Sequence, residues 1–125
     1  MNDALKDIKS PDPAVRLKAV RTLTGMPSEK VLEPLVGVLK DESPDVRVAA
    51  VRALASVKGE RVDNALIEAL KDGEPKVREA AADALGIRGT TKARSALADL
   101  AEKDPTQEVR NAALGAIDNL SSRQD

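Results

Sequence analysis

The side chains available for chemistry in this chain are few in kind. Its 125 residues carry 20 lysines and arginines and 21 aspartates and glutamates, but no histidine, cysteine, phenylalanine, tyrosine or tryptophan. Without histidine there is no His general base, no Ser-His or Cys-His nucleophile pair and no ordinary zinc site. Without cysteine, disulfides and thiolate chemistry fall away as well. No Gly-x-Gly-x-x-Gly or Walker-type phosphate loop occurs. What remains is a carboxylate-only site, or a magnesium ion held between acids. The acids, however, fall at helix starts, in turns and on exposed helix faces. The chain therefore reads as non-enzymatic, with no cofactor and no metal.

Charged groups that do not catalyse can still make contacts, so the elements presenting them matter. Those elements repeat. Val15, Val46, Val77 and Val109 are spaced by 31, 31 and 32 residues, and each is followed by an arginine: Arg16, Arg47, Arg78 and Arg110. Four, five and eight residues after each valine come further small or aliphatic residues, as in Ala81, Ala82 and Leu85. Those offsets share one side of an α-helix, so each phrase predicts an amphipathic helix with a small-residue core face. Pro13, Pro44 and Pro75 stand two residues before the valine, where proline suits the first helical turn; Pro105 stands four before. Asp12, Ser43, Glu74 and Asp104 precede the prolines as candidate caps, Glu74 being the poorer one. Gly25, Gly59 and Gly86 lie near the expected helix ends.

A second apolar phrase lies between these helices, in 31–41, 62–72 and 93–101, with Pro34 expected to kink the first of them. The expected helices are 2–10, 13–25, 28–41, 44–58, 60–72, 75–87, 90–103 and 106–120. Residues 121–125 are expected to form a polar, frayed tail. Each unit is a helix, a short turn and a helix, and none can bury its apolar face alone. The fold class is all-α: one solenoid domain, 1–125, of about three and a half to four helix pairs, with repeats near 1–25, 28–58, 60–88 and 90–120.

Composition sets further bounds. A core of Leu, Val, Ile and Ala permits close helix approach but buries little area per residue, so we expect modest stability summed along the stack. The formal charge of −1 argues against a generic nucleic-acid binder. No apolar run approaches a membrane span, and the first residues hold no signal-peptide core, which makes the cytoplasm the expected compartment.

The period, the Val-Arg-x-x-Ala-Ala phrase and Pro34 together resemble a HEAT-repeat protein of the short-repeat kind found among phycobilisome-lyase-like proteins. The resemblance covers nearly all of 10–120 and is closest over Val77–Gly86. It implies a right-handed superhelix. Some HEAT-type enzymes hold a di-iron centre through His-Glu pairs, and HEAT-like DNA glycosylases use aromatic residues; this chain has no histidine and no aromatic residue to offer. The resemblance also implies a polar ladder, in which an aspartate six residues before each arginine pairs within and between repeats. Asp41 with Arg47, Asp72 with Arg78, and Asp104 with Arg110 fit that interval, whereas Ser10 replaces the acid before Arg16. The alternative is an arginine row that grips an acidic ligand.

The same resemblance places the Val-Arg helices on the concave side. Their outward positions include Leu17, Lys18 and Arg21; Val48 and Arg52; Glu79 and Asp83; and Asn111. The first half of that surface is basic and the second acidic. Residues 1–62 hold 11 basic and 9 acidic side chains (net +2), and residues 63–125 hold 9 and 12 (net −3). Leu17 and Val48 among arginines read as a small interface centre, or equally as ordinary exposed aliphatics. The expected function is a protein-interaction scaffold that binds an unknown protein or peptide on this face. An accessory or chaperone-like subunit of an enzyme is the alternative, and nucleic-acid binding stands third. A monomer is expected, with end-to-end association through Leu114 and Ile117 conceivable.

Overall fold

Each proline-led phrase begins a helix. In the computed structural model, which describes residues 2–123, the helices are α1 (Asn2–Asp7), α2 (Pro13–Leu23), α3 (Ser28–Val38), α4 (Pro44–Leu54), α5 (Glu60–Ala69), α6 (Pro75–Arg88), α7 (Arg94–Lys103) and α8 (Gln107–Arg123). A single 3-10 turn, Thr91–Ala93, leads into α7, and no strand occurs among the described residues. Proline occupies the first turn of α2, α4 and α6, where its missing N–H removes nothing. Pro34 lies inside α3 without ending it.

The caps differ from expectation in an informative way. Asp12 caps α2 by accepting the Ala14 N–H at 2.9 Å, but the side chains of Ser43 and Glu74 make no cap bond. The acid two residues earlier acts instead. Asp41 accepts from the Ser43 N–H, Asp72 from the Glu74 N–H and Asp104 from the Thr106 N–H, each at 2.9 Å. These aspartates brace the turn between the two helices of a pair, a local bond that competes well wherever the chain must reverse. The extra residue near Pro105 is taken up in the turn, so α8 starts only at Gln107.

Four pairs stack in sequence: α1 with α2, α3 with α4, α5 with α6, and α7 with α8. The Val-Arg helices α2, α4, α6 and α8 pack closely on one another, while α3 and α5 barely touch, so the even-numbered helices form the tighter, inner layer. Leu23, Leu35, Leu54, Leu66, Leu85, Leu97 and Leu120 are fully buried between the layers. Val46, Val77 and Val109 are buried as well; Val15, preceded by only the short α1, is half-buried.

Two expectations at helix ends are corrected. Gly86 does not end a helix: α6 runs two residues further and closes at Gly89, in the left-handed region at φ 73°. Gly86 is instead a packing residue, since a Cβ there would lie 2.8 Å from Ala116 Cα. Likewise α8 does not stop at 120 but continues through Arg123. Gln124 and Asp125 lie outside the described residues.

The helical glycines Gly86 and Gly115 should respond oppositely to the same change. A methyl group added at Gly115 would meet nothing within 4 Å, so Gly115→Ala should gain up to about 1 kcal/mol from helix propensity. Gly86→Ala should lose ~1–3 kcal/mol, because α6 and α8 must move apart to admit the methyl. Urea unfolding of both variants checks this; a stabilised Gly86→Ala would show that the helices can separate freely.

Candidate interaction groove and the arginine ladder

The arginine after each anchor valine reaches in two directions. Its Nη1 donates back to the backbone carbonyl six residues earlier: Arg16 to Ser10 at 2.7 Å, Arg47 to Asp41 at 2.6 Å, Arg78 to Asp72 at 2.8 Å and Arg110 to Asp104 at 2.6 Å. Its Nε and Nη2 form a fork onto the aspartate of the following repeat. Arg16 holds Asp41 at 2.8 and 3.2 Å, Arg47 holds Asp72 at 3.0 and 3.2 Å, and Arg78 holds Asp104 at 2.7 and 3.2 Å. Of the pairing expected within and between repeats, the half between repeats is present and the half within is corrected: inside a repeat the arginine meets a carbonyl, and its carboxylate comes from the next repeat. This is why Ser10 leaves the first rung intact. Any residue supplies the carbonyl, and Arg16 finds its acid in Asp41.

These pairs are largely withdrawn from water, the side chains of Arg78 and Asp104 being 12% and 3% exposed. Burial alone would push the Asp104 carboxyl up. The Arg78 hydrogen bond, the Thr106 N–H and the charges of Arg78 and Arg110 outweigh it and hold the group below its ordinary 3.8.

A second kind of buried arginine is invisible to the repeat pattern. Arg88, at the end of α6, donates Nε and Nη2 to Asp63 Oδ1 at 2.9 and 2.7 Å. Its Nη1 reaches the carbonyl of Leu54 at 3.0 Å and that of Val57, and its Nη2 that of Gly59 at 3.2 Å. Thr90 Oγ1 donates to the same Asp63 oxygen at 3.0 Å. One guanidinium thus satisfies the free carbonyls past the C-terminus of α4 and ties them to α5. A cation in the last turn of a helix is the available signal. Arg88 has no equivalent in the other repeats, so the period does not flag it.

The inner layer forms a groove of about 520 Å³ across α2, α4 and α6. Among its lining residues are Leu17, Arg21, Val48, Arg52, Glu79 and Asp83, with Asp45 and Lys76 beside them. Six of the eight expected surface residues thus converge there. Lys18 and Asn111 are exposed but lie outside the groove. Leu17 and Val48 are half-buried on its floor rather than fully solvated. Unlike the ladder arginines, Arg21, Arg52, Glu79 and Asp83 make no ion pair with any described residue. Partial desolvation pushes the Asp83 carboxyl up from its ordinary value; Glu79, one helical turn earlier, pushes the same way and Arg52 pulls against both. Among the described residues no three acids cluster closely enough to hold a metal ion, and no helix is long and apolar enough to cross a membrane.

Helix pairs stacked in register by an inter-repeat arginine-aspartate ladder define an α-solenoid of short repeats. A family model for HEAT repeats matches residues 2–74 and 63–118, and the chain belongs to the HEAT-repeat family. Its fold is similar to a structure from the complex of CpcE and CpcF of phycocyanin lyase from Nostoc sp. PCC7120, with a TM-score of 0.78 and 23% identity over 97% of this chain and 53% of that one. It is similar to an engineered protein, with a TM-score of 0.63 and 26% identity over 95% of this chain and 61% of the other. It also resembles a designed armadillo repeat protein in complex with the peptide (KR)4, with a TM-score of 0.67 and 26% identity over 96% of this chain and 64% of that one. The chain therefore spans 53% to 64% of the length of these structures. No curated protein sequence matches it.

Removing one member of a buried ion pair leaves the other unpaired, a loss of roughly 3–5 kcal/mol. Arg78→Ala should accordingly lower the melting temperature by on the order of 10 °C; an unchanged melting curve would remove the ladder's structural role. Because the Asp104 pKa is depressed in the fold, its contribution is fully present above 3.8 and is lost as pH falls through the folded value. Asp104→Asn should therefore be less stable than the parent at neutral pH, and the gap should close as the medium is acidified. Denaturant titrations across that range provide the check, and a constant gap would contradict the assignment.

Proposed function

We propose that the chain is a non-enzymatic interaction scaffold that holds a peptide or helical segment of a partner protein along the inner groove. The supporting observation is the set of charges facing that groove without partners of their own. Some oppositely charged side chains elsewhere on the surface do pair, as Arg61 of α5 does with Glu33 of α3 at 3.0 Å. In the groove Arg21 of α2 and Arg52 of α4 each stand one turn after an aliphatic residue, Leu17 and Val48, while α6 contributes Glu79 and Asp83 together with Lys76. This arrangement suits a segment that crosses the helices with acidic and aliphatic groups over α2 and α4 and a basic group over α6. Complementary charge would orient the segment, and the half-buried aliphatics would contribute most of the apolar contact.

A raised Asp83 carboxyl is a group whose charge the fold mildly disfavours. It is relieved by a cation brought by a ligand. The likeness to a designed repeat protein bound to an alternating Lys-Arg peptide is in keeping with this, although that peptide belongs to that protein alone. The scarcity of catalytic residue types favours contact over turnover as the mode of action.

Fluorescence anisotropy with two labelled probes, a (KR)4 peptide and an acidic-then-basic peptide of equal length, tests the reading. The two-signed probe should bind more tightly. Arg52→Glu and Asp83→Lys should each weaken it roughly 3- to 10-fold. Asp83→Asn should leave the melting temperature level or slightly raised while weakening (KR)4. Leu17→Glu combined with Arg52→Glu should abolish capture without unfolding the protein. Binding indifferent to all of these changes would take the site away from the groove.

A further inference from the structure

Nine arginines lie from Arg16 to Arg110, and seven of them donate to an acceptor among the described residues. The two that donate to none are Arg21 and Arg52, and they are neighbours in space. Each stands six residues after its anchor valine, so both occupy the same level of α2 and α4, which pack directly on each other. Both are exposed and both line the inner groove. Lys18, one turn before Arg21, is exposed and makes no ion pair with any described residue either. The acid that α2 and α4 bring to the groove is Asp45, which stands almost two helical turns before Arg52. Two open guanidinium forks thus lie side by side, next to a third cation.

The form of that pair selects its ligand. A carboxylate has one charge and two oxygens and suits a single fork, as Glu33 takes that of Arg61. A phosphoryl monoester carries about −1.5 to −2 charge at neutral pH and three strong acceptor oxygens, so it can take two forks at once. We propose that Arg21 and Arg52 together hold the phosphoryl group of a phosphoserine in the bound segment. This rests on the groove being the contact surface and names the acidic group that it takes. Spacing then fixes a register. Neighbouring helix axes lie about 8–10 Å apart, which puts a phosphate over the α2–α4 seam roughly 12–15 Å from the axis of α6. Extended chain advances about 3.3 Å per residue, so the basic residue facing Glu79 and Asp83 falls about four residues from the phosphoserine. The residue beside the phosphoserine meets Leu17 or Val48 and is aliphatic. Capture is thereby switched on by phosphorylation of the partner.

Three labelled peptides of one sequence test this. Each has a leucine beside the variable residue and an arginine four residues from it, and the variable residue is serine, aspartate or phosphoserine. In fluorescence anisotropy the phosphoserine peptide should bind roughly 10-fold more tightly than the aspartate peptide, with serine weakest. Arg21→Gln and Arg52→Gln should each cut that preference to below about 3-fold while the melting temperature stays level, since both side chains are exposed. Arg52→Lys keeps the charge without the fork and should retain only part of the preference. Equal binding of the phosphoserine and aspartate peptides, still weakened by Asp83→Lys, would overturn the phosphoryl assignment and leave the groove reading standing. Failure of all three peptides to bind would remove the groove reading and this proposal with it. A phosphoserine preference that survives both glutamine changes would overturn the proposal as well. So would displacement of the phosphoserine peptide by a lower concentration of a single-stranded oligonucleotide of equal charge, which would assign the arginines to a nucleic-acid backbone.

Discussion

Stacking depends on a guanidinium that holds two loops at once. Each ladder arginine bonds the carbonyl of the turn it grew from and forks onto the aspartate of the turn that follows. That aspartate in turn accepts the backbone N–H that shapes its own loop. A carbonyl, an arginine, a carboxylate and an amide therefore form one chain of charge-assisted bonds, repeated three times along the edge of the solenoid. Buried ion pairs add little net stability over a well-packed apolar substitute, but they are intolerant of misalignment. Their physical consequence here is register. The inner helices meet through alanines such as Ala50, Ala81 and Ala113, which offer few knobs to stop one helix sliding past another.

The small-residue interface imposes its own constraint. Apolar burial is worth about 25 cal/mol per Å², so an alanine-rich seam contributes less per residue than an aromatic core would. It gains by proximity what it lacks in area, since short side chains let backbones approach and dispersion contacts accumulate. The contact of α6 with α8 takes this to its limit, where Gly86 admits the backbone of Ala116 with no room for a methyl group. With so little area available, the polar contacts at loops carry more of the specificity. The Arg88 cluster is one such contact, binding α6 to the end of α4 and the start of α5.

Much of this is legible in the sequence because it is periodic and local. The interval of 31 or 32 residues, the prolines at helix starts and the offsets of the apolar positions each report on a few neighbouring residues, and the helix pairs follow from them. The ladder is half legible. Spacing of six residues marks Asp41 with Arg47, but that interval encodes the carbonyl contact, while the carboxylate contact spans 25 or 26 residues and appears only once the pairs are stacked. Gly86 misleads because a glycine near a helix end is usually a cap, and nothing local reveals that Ala116 lies against it. Arg88 escapes altogether, being a single departure from the repeat rather than part of it. In the groove, the helical offsets identify Leu17, Arg21, Val48, Arg52, Glu79 and Asp83 as outward residues. Offsets alone do not say that Lys18 and Asn111 lie outside the groove.

Arginine and aspartate thus have two fates in one small protein, and position decides between them. At the loop edge, Asp72 and Asp104 are locked by the preceding repeat's arginine and by a backbone amide. In the groove, Arg52 on α4 and Asp83 on α6 are near enough for one to shift the titration of the other, yet they form no ion pair. A bond between them would bridge the groove and cover the aliphatic floor beside it. Holding them apart leaves Asp83 with a carboxyl that burial and Glu79 both disfavour, whereas at Asp104 the Arg78 and Thr106 bonds and the nearby arginine charges outweigh the cost of burial. Groups kept charged, convergent and unneutralised from three successive helices make a poor device for stability. On the function proposed above they suit contact, because an incoming segment of opposite charge pattern would supply what the fold has withheld.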